Sequence, residues 1–215
     1  MHYYNLDYTT KGVLQLKQHF SKKLIVDIIF ILIQTACIVG LIITDNYDYM
    51  RMSISNLLFW LVYIFLEFKL KWSIPLYIRI AVTISIISND VLGELINLYV
   101  TSFLFDRIQH IFGTYSLTLW SFFIIQQFVQ MKFIQKKLII IFFITLSTTL
   151  GTFYEIFEFL QDELFKPVIK NQTSLLDTDL DLISDVVGGI IALIHYLSSE
   201  SLRLFRLPFE QKCKS

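Results

Sequence analysis

Cysteine, proline and glycine are scarce in this chain of 215 residues, at two, three and seven copies. Cys37 lies in an apolar run and Cys213 near the C-terminus, so neither a disulfide framework nor a cysteine metal pair is available. The sequence also lacks zinc-finger spacing, a phosphate-binding glycine loop, a nucleophile elbow and any internal repeat. Nor is one sign of charge in excess. Eighteen Lys and Arg face eighteen Asp and Glu, which removes the basic balance that a nucleic-acid partner would call for.

What the chain has in abundance is apolar surface. Hydrophobic residues make up 55% of it and aromatics 16%, more than a soluble globular domain carries. Runs long enough to cross ~30 Å of hydrocarbon recur at 24–44, 54–70, 76–100, 107–131, 138–160 and 180–198. The expected fold is therefore an all-α integral membrane protein, a six-transmembrane-helix bundle. The first run is longer than a signal-peptide core and has no small-x-small cleavage site, so it reads as a retained span. Pro75 opens the third span, where the first helical turn tolerates a missing N–H.

Basic residues test that parsing independently, because cytoplasmic segments collect Lys and Arg. Fourteen of the eighteen fall in the N-terminal arm, the 2–3 and 4–5 connections and the tail, and only Arg51, Arg107, Lys166 and Lys170 fall on the other side. Both termini are thus expected in the cytoplasm. Residues 1–23 form a cytoplasmic arm, 24–198 the six-span membrane domain and 199–215 a basic cytoplasmic tail that could rest on the inner membrane surface.

The acids have their own pattern. Asp177, Asp181 and Asp185 recur every fourth residue, which stacks them on one helical face before the apolar run Ile190 to Leu197. Asp90 and Glu94, Asp106 and His110, and Glu155 and Glu158 form further one-turn pairs, all toward the extracytoplasmic ends of their spans. A lone carboxylate at a bilayer centre costs about 2.5–3.5 kcal/mol. The stripes should therefore face one another inside the bundle, where shared protons or a bound cation would neutralise them. Carboxylates with one imidazole suit Mg²⁺, Mn²⁺, Ca²⁺, Fe²⁺ or Zn²⁺. The candidate metal ligands are Asp106, His110, Glu155, Asp181 and Asp177, although Asp177 and Asp179 could equally cap the last helix. Asp27 and Glu67 are expected to pair with Lys23 or Lys69, and Gly188-Gly189 to permit close helix packing. Asn171-Gln172-Thr173 is a glycosylation sequon, read here as polar loop.

Three motifs in order, Asp106-Arg107-x-x-His110 with Gly113, Gly151-x-x-Tyr154-Glu155-x-x-Glu158, and Asp177-Thr178-x-x-Asp181 with Gly188, resemble the YjdF-like family of bacterial membrane proteins. The resemblance covers roughly residues 89–195, with Phe159 standing where the family pattern leads one to expect Trp. It implies a multispan bacterial membrane protein and assigns no chemistry.

From the residues, the leading expectation is a divalent-metal site that hydrolyses or transfers a group on a lipid or lipid-linked substrate. Glu158 or Asp185 would act as general base and Arg107 would hold an anionic headgroup. Two alternatives stay open. One is a proton- or cation-coupled transporter using Asp90, Glu94 and Asp185, and the other is a non-catalytic membrane scaffold or sensor.

Overall fold

The computed structural model describes residues 5–72, 74–129 and 135–199, with side chains from Ser21 onward, so the basic tail and Cys213 lie outside the described residues. Seven α-helices follow one another: α1 (Asn5–Ile43), α2 (Tyr47–Leu70), α3 (Leu76–Ile87), α4 (Leu98–Thr101), α5 (Phe103–Phe128), α6 (Lys136–Phe165) and α7 (Leu175–Ser198). A π-helical segment, Ser88–Leu95, prolongs α3. Six of these stretches are long and apolar enough to cross a membrane. α1 runs unbroken through the expected boundary between arm and first span.

Two spans differ from expectation. The second begins at Tyr47 rather than 54, because Asn46 caps it by accepting the Tyr49 N–H at 3.4 Å and Arg51 pairs with Asp48 one turn away. The third does not reach residue 100. Its π segment ends at Leu95, Asn97 adopts a left-handed φ of 69°, and the single turn of α4 leads into α5. Hydropathy carries no trace of such a break. In α6, Thr145, Thr148, Thr149 and Thr152 give their hydroxyl protons to carbonyls one turn back, which lets polar side chains sit on an outward face.

α7 packs against α5 and α6, while α3 packs against α5 and α1. Gly188 makes the α5–α7 approach possible: a Cβ there would land on the backbone carbonyl of Ile111 and lie 3.1 Å from the Tyr115 nitrogen. Gly189 faces Ser147 of α6 in the same way. Backbone cannot step aside as a side chain can. Gly188→Ala is therefore expected to destabilise the bundle by about 1–3 kcal/mol, seen as a lower melting temperature in detergent. Gly189→Ala should be rescued by Ser147→Gly.

The end of the bundle near the 2–3 and 4–5 connections is closed by apolar packing. Trp60, Leu119, Phe122, Phe123, Ile139, Phe143 and Tyr196 are all buried there. Beside them is a charged network around Arg79, one of the fourteen basic residues counted above toward the connections and termini. Arg79 is not a connection charge: it is fully buried in the first turns of α3, paired with Asp27 and Glu67, and hydrogen-bonded to the Tyr63 hydroxyl at 3.3 Å. Lys23 meets Glu67 at 3.1 Å as expected, and the Trp60 indole donates to Asp27 at 3.2 Å. Outward-facing Phe65, Phe68, Ile108, Phe153, Ile183 and Ile194 leave the bundle with an apolar exterior.

Candidate metal centre

At the opposite end, α5, α6 and α7 bring the motif residues together. α7 starts with Ser174, whose hydroxyl accepts the Asp177 N–H at 3.2 Å, so Ser174 and not Asp177 or Asp179 is the cap. From that start, the four-residue spacing aims Asp177, Asp181 and Asp185 down one face toward α5. The connection from α6 is tied back by Asp162, which accepts the backbone N–H groups of Asn171 and Gln172 at 2.9 and 3.0 Å. Asn171 of the sequon also gives its side-chain amide to Asp162 at 2.9 Å. Gln172 is thereby fixed to donate to Glu155 Oε2 at 2.8 Å, a contact from a loop that no helical spacing announces.

His110 is the hub. Its Nδ1 lies 3.2 Å from Asp185 Oδ1, and the other ring nitrogen faces Asp106 Oδ1 at 3.6 Å, Asp181 Oδ1 at 3.7 Å and Glu155 Oε1 at 4.0 Å. For Asp185 to accept, Nδ1 must carry the proton, and in the neutral imidazole the Nε2 lone pair is then the one that faces the three carboxylate oxygens. Among the described residues Glu155 Oε1 is buried and has no hydrogen-bond partner, and neither has Asp185 Oδ2. The Tyr154 ring meets His110 edge-on with centroids 5.5 Å apart.

This donor set fits a divalent ion. Two ligands on one small cation can lie up to about 4.4 Å apart, twice a bond of ~2.2 Å, and all three separations from Nε2 fall inside that limit. Asp106, His110 and Asp181 offer atoms mutually within 4.8 Å, and so do His110, Glu155 and Asp185. The first group together with Glu155 surrounds Nε2. Asp185 sits behind the ring, in the place where a carboxylate orients a ligating imidazole.

Four sequence expectations are corrected here. Asp185 is not placed as a general base, because it is 1% exposed, bonded to His110 and Thr114, and does not line the cavity at this end of the bundle. Asp177 is removed from the ligand set: Arg107 takes one of its oxygens, and the Thr173 amide and hydroxyl take the other at 3.1 and 2.8 Å. Arg107 is not free for a headgroup, since its guanidinium bridges Asp177, Asp106 and Asp181, the last two at 2.6 Å. Asp90 and Glu94 do not join the His110 cluster. They form a separate one with Gln34, Ser53, Asn56 and Asn89.

A cavity of about 390 Å³ opens beside the centre. Asp106, Arg107, Tyr154 and Glu158 line it toward α5 and α6, and Tyr49, Asn89, Glu94 and Tyr99 toward α2 and the π segment. Glu158 forms no hydrogen bond or ion pair among the described residues, and its charge neighbours are His110, Glu155, Asp106 and Asp181. Tyr49, Tyr99 and Lys170 had no signal in the sequence, because they reach the cavity from connections and from a helix without motif.

The chain belongs to the family described as predicted membrane protein (DUF2238), which matches residues 25–200 and so takes in all six spans, including the first two that the motifs did not reach. This agrees with the resemblance carried by the motifs. An uncharacterised protein of Thermotoga maritima is 29% identical over 115 residues, which is 54% of this chain and 59% of that relative. No solved structure matches the chain. The protein is thus a multispan membrane protein of this family.

Proposed function

We propose that the protein is a divalent-metal enzyme of the cell membrane, hydrolysing or transferring a group on a lipid or lipid-linked substrate, with its centre on the extracytoplasmic side. One observation carries the reading. His110 Nε2 converges with Asp106, Asp181 and an otherwise unpartnered Glu155 oxygen within 4.0 Å, at the edge of a cavity. The basic bias of the termini and of the 2–3 and 4–5 connections supports the sidedness.

A bound divalent ion would supply Lewis acidity and a water whose proton is acidic near neutrality. The protein residues have distinct tasks around it. Asp185 fixes the His110 tautomer, and Arg107 holds Asp106, Asp177 and Asp181 in register despite their mutual repulsion. Glu158, in the cavity and free of hydrogen bonds, takes the proton of an attacking water and returns it to the departing oxygen of the substrate. The aromatic packing at the far end argues against the transport alternative, which needs a polar path onward from the cluster.

Purified full-length protein loaded with Mn²⁺ or Zn²⁺ and incubated with a bacterial lipid extract should yield a released headgroup or exchanged product by mass spectrometry. Glu158→Gln should cut the rate by about 10²–10⁴-fold while metal affinity stays nearly constant. A rate unchanged by Glu158→Gln removes that base from the account, and absence of any product with metal bound removes the enzyme reading.

A further inference from the structure

The cavity holds more than the metal centre needs. Of the acids lining it, Asp106 and Asp177 are paired with Arg107, but Glu94 and Glu158 face it with no cationic partner among the described residues. Glu94 is 5% exposed and is held only by neutral donors, the Ser53 hydroxyl and the Asn89 amide, each at 3.2 Å. Behind it Asp90, fully buried, is likewise met by neutral donors, among them the amides of Gln34, Asn56 and Asn89. Neutral donors satisfy the hydrogen bonding of these carboxyl groups and supply no countercharge. Glu94 therefore presents the cavity with a carboxyl group that a bound cation would hold ionised.

The walls between are aromatic. Tyr49, Tyr99 and Tyr154 line the cavity together with Glu94 and Glu158. Tyr99, between the spans, donates its hydroxyl proton to Asn89 Oδ1 at 2.6 Å, and burial keeps that phenol protonated by pushing its pKa up. A carboxyl group among aromatic rings is a combination that binds organic ammonium groups. A bare metal cation would instead compete for oxygens that the amides already occupy. Lys170 lies across the cavity lining, exposed, where it can meet an anionic group on the same molecule.

We infer that the cavity selects a headgroup carrying an ammonium, bound by Glu94 against the rings of Tyr49, Tyr99 and Tyr154. The inference rests on the proposed function for what is done to that headgroup, whereas the binding itself requires no ion at His110. A zwitterionic amino-alcohol phosphate places its ammonium toward Glu94 and its phosphate toward Lys170 and the metal centre.

The test uses detergent-purified full-length protein titrated with short-chain phosphatidylethanolamine, short-chain phosphatidylglycerol and free ethanolamine, with Mn²⁺ titrated in parallel. The ethanolamine lipid should bind at least about tenfold more tightly than the glycerol lipid, and Glu94→Gln should abolish the preference. Should Glu94→Gln lose its fold, Tyr49→Leu, outside the amide network, must weaken the same preference. Ethanolamine alone binding as tightly as the lipid supports the ammonium site and makes a free amine its source. Equal affinity for the two lipids, or a preference that survives in both variants, overturns the inference. Mn²⁺ binding without lipid preference sinks this inference alone, and lipid preference without Mn²⁺ binding sinks the metal reading alone.

Discussion

Replacing His110 with alanine is expected to lower divalent-metal affinity by more than about a hundredfold, because even a partner behind a ligand is worth 10- to 100-fold. Asp185→Asn supplies the graded comparison. It leaves the carboxylates near Nε2 in place and alters the group shared by His110 Nδ1 and the Thr114 hydroxyl, so its loss should fall within about 10- to 100-fold. Gly151→Ala acts on the same carboxylate by another route, since a Cβ there would overlap the Asp185 side chain. These effects belong to metal binding only if the metal-free proteins melt alike. Isothermal titration of Mn²⁺ and thermal melting with and without the ion therefore need to be read together. Affinity should also fall as the pH is lowered, since imidazole and carboxylates bind metal only when deprotonated. A His110→Ala protein that binds Mn²⁺ like the native chain would remove the centre from the account.

Arg79→Ala is expected to have the largest effect on stability. Arg79 is fully buried and serves two acids at once, Asp27 and Glu67. Its guanidinium also lies over the rings of Trp60 and Tyr63, 5.6 and 5.2 Å from their centroids. Removing it leaves Asp27 without a cationic partner and Glu67 with Lys23 alone, and breaking a buried ion pair from one side costs about 3–5 kcal/mol. Melting in detergent should show that loss. The informative comparison is Arg79→Met combined with Asp27→Asn and Glu67→Gln, which removes all three charges together and should recover most of the stability. If the single variant melts like the native protein, the network contributes nothing to holding α1, α2 and α3 together.

The spans could be read from hydropathy because a bilayer leaves helices few alternatives, and each of the six begins or ends within a few residues of the sequence boundaries. The break after Leu95 could not. It depends on a left-handed Asn97 and a π segment, and neither alters apolar content. Within the site, the four-residue spacing correctly put Asp177, Asp181 and Asp185 on one face, and the motif order brought α5, α6 and α7 to one place. Partner choice was beyond reach. Helical periodicity says which residues share a face but not the rotation and depth of one helix against another, and those decide that Arg107 gathers three aspartates while Asp185 passes behind the imidazole. The same limit misplaced Arg79, whose position near a connection resembles that of a cytoplasmic charge although its side chain turns into the bundle.

Elemental analysis of the full-length protein, purified gently at neutral pH without chelator, tests the central claim most directly. The account predicts about one divalent ion per chain, retained through gel filtration, absent from His110→Ala and restored to the native protein by titration after chelation. Native protein that emerges metal-free, takes up no Mg²⁺, Mn²⁺, Ca²⁺, Fe²⁺ or Zn²⁺ on titration, and melts at the same temperature with and without them would contradict it.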